Sequence, residues 1–337
     1  MAMFDKFPRV RLAHLPTPLE PMPRLTRALN GPQLWVKRDD QTGLATGGNK
    51  ARKLEFLVGD AVERGADTLI TAGAPQSNHS RQTAAAAARM GMRAVLALTG
   101  DMPEEWNGNL LLDYLFDAEV RWLGDVSWAD LPARLEAIAA GEREAGYEPY
   151  IIPLGGSTPI GVLGYILAMQ ELVQQMEEAG VSFDRIIIAS SSGGTQAGML
   201  IGAELFGFKG RITAISVAEP EKALRARVSK LVSQTLSLLG RPVKVPGAKI
   251  DIVDRYLGEG YAVLGEPERE AIALMAGYEG ILVGPVYTGR ALAGMIDMIR
   301  RGEIAPEETV LFWHTGDTAA LFAYARELRR QGVMMAR

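Results

Sequence analysis

Arg185-Ile186-Ile187-Ile188-Ala189-Ser190-Ser191-Ser192-Gly193-Gly194-Thr195-Gln196-Ala197-Gly198 is an apolar strand run that breaks into a small-residue turn and opens a helix. A short continuous apolar run suits a strand covered on both faces. The same pattern recurs along the chain. Strand-like runs lie at Leu34–Arg38, Thr68–Ala72, Ala94–Leu98, Tyr150–Pro153, Ile212–Val217, Ile281–Val283 and Val310–Trp313. Helical patterns lie between them, at 49–64, 77–91, 158–179, 221–239, 267–277, 289–301 and 317–330. Such alternation predicts parallel sheets with right-handed crossovers, an α/β fold. The segment 101–149, with Trp106, Trp122 and Trp128 and several turn signals, is expected to close off a smaller sheet domain.

Composition narrows the function. At 337 residues the chain is long enough for two domains around sizeable cores. A net charge of -4 shows no basic bias, which argues against nucleic acid and anionic membrane as partners. The absence of cysteine removes disulfides, thiolate metal sites and cysteine nucleophiles, and three histidines (His14, His79, His314) are too few for a multi-histidine metal centre. The beginning of the chain carries Asp5, prolines and scattered arginines but no apolar core of the signal-peptide kind, and no apolar run is long enough to span a bilayer. A cytoplasmic enzyme without metal is expected.

In open parallel sheets, ligands bind beyond the carboxyl ends of the strands. Four stretches are expected there. After the 185–189 run, Ser192, Gly193, Gly194 and Thr195 present successive backbone N–H groups at a helix N-terminus, a cradle for phosphate or simply a tight turn. No lysine follows, so this is not a P-loop, and the dinucleotide spacing is missing. After the 68–72 run comes Gln76-Ser77-Asn78-His79, where Ser77 or Asn78 caps a helix or, with it, holds a carboxylate. His79 taken alone reads as a structural histidine. Gly284-Pro285-Val286-Tyr287-Thr288-Gly289 and His314-Thr315-Gly316-Asp317 place hydroxyls after apolar runs. Thr46-Gly47-Gly48-Asn49-Lys50 sets a lysine after a glycine pair at the start of an amphipathic helix. A desolvated lysine becomes a nucleophilic amine able to form a Schiff base.

A phosphate cradle together with such a lysine points to pyridoxal 5'-phosphate. The order of motifs resembles the D-cysteine desulfhydrase and 1-aminocyclopropane-1-carboxylate deaminase family of tryptophan-synthase-β-like (fold type II) pyridoxal enzymes. The resemblance runs from Pro16-Thr17-Pro18-Leu19-Glu20 through Lys37-Arg38-Asp39-Asp40, Gly47-Gly48-Asn49-Lys50, Gln76-Ser77-Asn78-His79, Ser192-Gly193-Gly194-Thr195 and Pro285-Val286-Tyr287-Thr288-Gly289 to His314-Thr315-Gly316. It implies a large cofactor-binding domain from 1–47 and 165–337, a smaller α/β domain from 48–164, and an active site in the cleft between them. It also implies a homodimer acting on a small amino acid.

The resemblance assigns roles as well. Lys50 would hold the cofactor covalently and move a proton at the substrate α-carbon. Asn78 would bond the ring hydroxyl, Ser192, Gly193, Gly194 and Thr195 the phosphate, and Thr288 and Thr315 the ring nitrogen. Ser77, with Asn78 and His79, would bind substrate, Ser77 also serving as nucleophile or proton relay. Tyr261 and Tyr287 match two active-site tyrosines; as bases they would need a nearby cation, because tyrosine ordinarily titrates near ~10.

Ring-opening deaminases of this family carry glutamate at the position of Thr288 and leucine at that of Thr315. Neutral hydroxyls there favour α,β-elimination, with D-cysteine as first substrate and ring opening disfavoured. L-cysteate is the alternative, its sulfonate needing a cation such as Arg52, Lys53 or Arg81. A replacement synthase, a hydroxyamino-acid dehydratase, a binding protein without chemistry and a nucleotide-binding protein are the competing readings. Asp317 departs from the family pattern, which has glycine there; it is expected to cap the helix that follows, or else to bring a carboxylate to the site.

Overall fold

Alternating strands and helices form two separate sheets in the computed structural model, which describes residues 3–240 and 243–329. The chain begins with β1 (Leu19–Pro21), α1 (Pro23–Leu29) and β2 (Gln33–Arg38). It continues through α2 (Lys50–Glu63), β3 (Thr68–Gly73), α3 (Asn78–Met90), β4 (Arg93–Leu98), α4 (Gly108–Leu115), β5 (Glu119–Trp122), α5 (Leu131–Glu144) and β6 (Pro149–Ile151). Then come α6 (Pro159–Ala179), β7 (Arg185–Ser190), α7 (Gly194–Phe206), β8 (Arg211–Ser216), α8 (Glu221–Leu239) and β9 (Asp251–Val253). The last elements are α9 (Glu266–Glu279), α10 (Thr288–Arg300) and β10 (Thr309–His314).

The larger sheet has the order β1-β2-β10-β7-β8-β9 and the smaller β5-β4-β3-β6. Every pairing is parallel except the edge pair β1–β2. All six residues of β7 and all six of β3 are buried, as continuous apolar runs require when helices cover both faces. One face of the larger sheet packs on α6, α7 and α8 around Ile186, Ile188, Leu311 and Trp313; the other packs on α1, α9 and α10 around Ile187, Phe312 and Val283. No helix among the described residues is long and apolar enough to cross a membrane.

Two sequence expectations fail. Ile281-Leu282-Val283 pairs with no strand. It is a connector between the Gly280 C-cap of α9 and the turn Gly284-Pro285, with Leu282 half exposed and its carbonyl met by a side chain, His314 Nε2 at 2.8 Å, rather than by a neighbouring strand. The expected helix at 317–330 is a 3₁₀ stretch, Thr318–Tyr324, followed by a single α-turn, Ala325–Leu328. The left-handed backbone of Asp317 (φ 82°) starts it without a side-chain cap; residue 330 lies outside the described residues.

A buried ionic cluster fixes α2 against the larger sheet. Asp39 accepts from Arg52 Nε (3.0 Å) and Nη2 (2.8 Å), Thr17 Oγ1 (2.9 Å), Tyr165 Oη (2.6 Å) and Trp313 Nε1 (2.8 Å). Arg52 also reaches both oxygens of Glu171 on α6, at 2.9 Å each. Burial alone would raise the Asp39 carboxyl, but the Arg52 charge and these donors hold it down at about 2. Lys50 stands two residues before Arg52, so this cluster anchors its helix.

Candidate active site

The carboxyl ends of β7, β8 and β10 and those of β3 and β6 open onto one cavity of about 740 Å³. Lys50, Ser77, Asn78, His79, Ser192, Gly193, Thr195, Tyr261, Tyr287 and Thr315 line it. Gly194 and Thr288 stand outside its wall. Nearly all the predicted residues, scattered over some 270 positions of the chain, thus share one crevice.

Lys50 reaches the cavity because the chain before it packs without side chains. Gly47 (φ 76°) lies where a Cβ would strike the Asp40 carbonyl oxygen at 1.8 Å; a Cβ on Gly316, at the end of β10, would meet Gly48 Cα at 2.7 Å. Closing these two strips of backbone joins Asn49 N–H to the Thr315 carbonyl at 2.9 Å. The Lys50 Nζ donates to Asn49 Oδ1 at 3.1 Å. Burial lowers its pKa to about 8, against the pull of Asp317 and with the push of Arg81. At pH 7 about a tenth of this amine is therefore uncharged, far more than for an ordinary lysine, and the uncharged form is the nucleophile.

Ser192–Thr195 forms the turn from β7 into α7, with Gly193 in the left-handed region (φ 82°) as N-cap. Asn49 Nδ2 donates to Thr195 Oγ1 at 3.1 Å, tying this turn directly to the residue beside Lys50. Ser157 braces it from the other side, with Oγ 2.7 Å from Ser192 Oγ and accepting the Gly194 N–H at 3.2 Å. Lys53, one helical turn after Lys50, ends here. Its Nζ bonds the Gly155 carbonyl (3.1 Å) and Ser157 Oγ (3.3 Å), and among the described residues it has no carboxylate partner. It is 1% exposed, and burial followed by the Lys50 charge drives its pKa well down. A buried amine beside a helix N-terminus, short of an anion, describes a seat for a phosphate. Sequence reasoning named Lys53 only as a possible sulfonate partner; its place three residues after Lys50 on the helix carried the signal, and Ser157 carried none.

The facing wall is the start of α3. Ser77 is its N-cap and accepts the Ser80 N–H at 3.1 Å, which leaves its hydroxyl proton free to donate into the cavity. Gly73 at the end of β3 admits this turn, since a Cβ there would lie 2.5 Å from Ser77 Oγ. The Asn78 side-chain amide makes no hydrogen bond among the described residues. His79 pairs through Nε2 with Thr71 Oγ1 at 2.9 Å, and burial followed by the Lys50 and Lys53 charges keeps it neutral. Arg81 turns away from the cavity to clamp the glycine loop, bonding the Ala45 carbonyl, Thr46 Oγ1 (3.0 Å) and the Gly47 carbonyl (3.0 Å). Arg52 is held by Asp39 and Glu171, and neither arginine lines the cavity.

On the remaining side, Tyr261 and Tyr287 share a hydroxyl–hydroxyl bond of 2.6 Å. Trp128, half exposed, packs edge-on against Tyr261 at 5.9 Å from across the crevice, a contact that nothing in the sequence foretold. Burial pushes Tyr261 up to about 12 and Tyr287 well above its ordinary value, so both are proton donors rather than bases. Thr315 offers a hydroxyl to the cavity. That of Thr288 is used by backbone, accepting from Gly284 N–H (2.7 Å) and donating to the Gly316 carbonyl (3.0 Å). Asp317 is not a cap: its carboxyl is buried behind the Tyr287 turn, with one oxygen 3.4 Å from the N–H groups of Val286 and Tyr287. It occupies a left-handed position, which aspartate tolerates better than most residues.

Comparison with known proteins agrees with this geometry. The profile of the family described as "Pyridoxal-phosphate dependent enzyme" matches residues 10–316. D-cysteine desulfhydrase of Salmonella typhi is 42% identical over 324 residues, 95% of this chain and 97% of that protein. A Pyrococcus abyssi (strain GE5 / Orsay) protein named "Putative 1-aminocyclopropane-1-carboxylate deaminase" is 41% identical over 331 residues, 97% of each. The crystal structure of an ACC deaminase homologue superposes with a TM-score of 0.90 at 38% identity, covering 97% of both chains.

Proposed function

The chain belongs to the pyridoxal-phosphate dependent enzymes, with the tryptophan-synthase-β-like fold, and from that premise we propose that it is an α,β-elimination lyase converting D-cysteine and water to pyruvate, sulfide and ammonia. One observation carries the reading. The Lys50 amine and the glycine turn at 192–195 face the same crevice, with Asn49 bonded to Thr195 between them. Amine and anion seat are the two things that this cofactor needs, and the second buried amine, Lys53, lacks an anion that a phosphate supplies.

In this reading Lys50 holds the cofactor, the N–H groups of Ser192, Gly193 and Thr195 with Lys53 hold its phosphate, and Asn78 and Thr315 meet its ring. Bound pyridoxal phosphate supplies an electron sink for the pair left at the substrate α-carbon. The chain supplies the rest. The Ser77 hydroxyl and the free N–H groups at the start of α3 receive the substrate carboxylate, where the helix dipole favours negative charge. Lys50, with a pKa brought to about 8 by burial, takes the proton from the α-carbon, which becomes the carbonyl carbon of pyruvate and receives none back. The Tyr287 hydroxyl, kept protonated and bonded to Tyr261, donates to the departing sulfur. His79 is neutral and orients the start of α3 through Thr71.

Neutral groups at the ring favour elimination over ring opening. Thr315 is a hydroxyl, and the Thr288 hydroxyl is committed to Gly284 and Gly316, so no carboxylate lines the cavity at either position. Deaminase action on 1-aminocyclopropane-1-carboxylate is the second reading, kept by the 41% relative of that name. L-cysteate is less favoured: Arg52 and Arg81 are engaged elsewhere and Lys53 stands at the phosphate seat. The proposal extends to a cytoplasmic homodimer whose domains are 1–47 with 165–337 and 48–164, for which the two sheets argue.

A substrate panel tests the activity. D- and L-cysteine, D-serine, L-cysteate and 1-aminocyclopropane-1-carboxylate are supplied to the enzyme and the released keto acid is identified. Pyruvate with sulfide from D-cysteine is expected as the fastest reaction. Ketobutyrate from the cyclopropane compound at a comparable rate overturns the argument from Thr288 and Thr315.

A further inference from the structure

Asp317 has no role in the reaction described above, yet its carboxyl is buried directly behind the turn that brings Tyr287 to the cavity. It stands three residues beyond β10 in the left-handed region (φ 82°, ψ 13°), and 1% of it is exposed. Its Oδ1 has no hydrogen-bond partner, and Oδ2 has only the long contacts to Val286 and Tyr287 N–H. Space for it is cut from the neighbouring backbone: a Cβ on Gly284 would lie 2.3 Å from the Asp317 carbonyl oxygen and 2.5 Å from its Cβ. A lone carboxylate placed this way is costly unless a charge repays its desolvation.

The charged and titratable groups facing it are known from every side. Lys50 on α2 and Arg81 on α3 attract it. Tyr261, Tyr287 at the N-cap of α10 and Tyr324 in the 3₁₀ stretch are acids that burial keeps protonated, with the Asp317 charge acting in the same direction. Arg81 bonds the glycine loop through Nη1 and Asn109 Oδ1 on α4 through Nε, its buried Nη2 has no hydrogen-bond partner, and Asp113, its other anionic neighbour, sits beyond it on α4. Of these two cations only Lys50 lines the cavity, so Lys50 is the one through which the Asp317 charge acts on the site.

We propose that Asp317 is a positioning residue: it is the counter-charge of Lys50, braces the turn that carries Tyr287, and makes the site discriminate against substrates with a second anion on the side chain. The inference rests on the reading that Lys50 holds the cofactor. Burial lifts the Asp317 carboxyl to about 7, so its charge is present from neutral pH upward.

The test uses the holoenzyme and two variants, Asp317→Asn, which keeps the shape, and Asp317→Gly, which suits the backbone should the first fail to fold. The pH midpoint of the visible cofactor band reports the charge at the Lys50 link. Loss of an adjacent anion lowers it by about one unit in both variants. Alongside it, the ratio of kcat/KM for cysteine to that for cysteate is measured; it falls about tenfold in both variants. A midpoint within about 0.2 unit of wild type in either folded variant, or an unchanged ratio, overturns the proposal. A protein with no visible band instead overturns the cofactor reading itself, so the two failures are told apart.

Discussion

Replacing Lys53 by methionine separates the phosphate seat from the rest of the cofactor site. In the folded protein the Lys53 amine is 1% exposed and bonded only to the Gly155 carbonyl and Ser157 Oγ. A charge-assisted hydrogen bond from this amine to a phosphate contributes about 2 kcal/mol net, or about 30-fold in affinity. The cofactor-free protein loses two ordinary bonds, about 1 kcal/mol each, and regains much of that by no longer burying an amine without an anion. Its melting temperature should move by no more than about 3 °C. The assay is equilibrium binding of pyridoxal 5'-phosphate and of pyridoxal, which lacks the phosphate, to wild type and Lys53→Met. The advantage of the phosphorylated form should shrink about 30-fold in the variant while pyridoxal binds as before. An advantage unchanged within twofold refutes the assignment, as does equal weakening of both ligands.

Tyr287→Phe removes one half of the 2.6 Å hydroxyl pair without touching the cofactor cradle. Its kcat for D-cysteine should fall by about 10²–10⁴ while cofactor occupancy holds, measured by pyruvate release and visible absorbance. Ser77→Ala should raise KM about tenfold and cost about 1 kcal/mol of stability through the lost N-cap, read by steady-state kinetics and thermal unfolding. Asp39→Asn should destabilise by about 3–5 kcal/mol, because it leaves Arg52 uncompensated and faces an amide toward four donor groups. The same carboxyl sets an acid limit. Its folded pKa, about 2, lies below the ordinary 3.8, so its contribution is complete above pH ~4 and disappears as pH falls toward 2. Acid unfolding of the Asn variant should therefore lack this part of the pH dependence.

Long buried strands and amphipathic helices were legible because burial on two faces leaves an unbroken apolar record, as in β7 and β3. Where that record is faint, sequence reasoning misled or was silent. Ile281–Val283 is apolar because Ile281 and Val283 cover α9 and α10, not because it joins a sheet. The edge strand β5, Glu119-Val120-Arg121-Trp122, alternates with charges and left no continuous run, and α5 buries only Leu131, Leu135, Ala139 and Glu142, too thin a stripe to stand out. Lys50, Ser77 and the 192–195 turn were readable because glycines and a cap surround them. Tertiary placement decided the others. Asp317 reads as a cap from its neighbours but lies in a backbone conformation that prevents capping, and the engagement of Arg52 depends on Glu171, more than a hundred residues away.

Reduction of the holoenzyme with borohydride, followed by mapping of the phosphopyridoxyl group onto peptides, tests the central claim most directly. The account predicts a single adduct on Lys50 and none in Lys50→Ala, which should also lose turnover. An adduct on Lys53 or any other lysine of the native enzyme, or a Lys50→Ala form that keeps both adduct and activity, contradicts it.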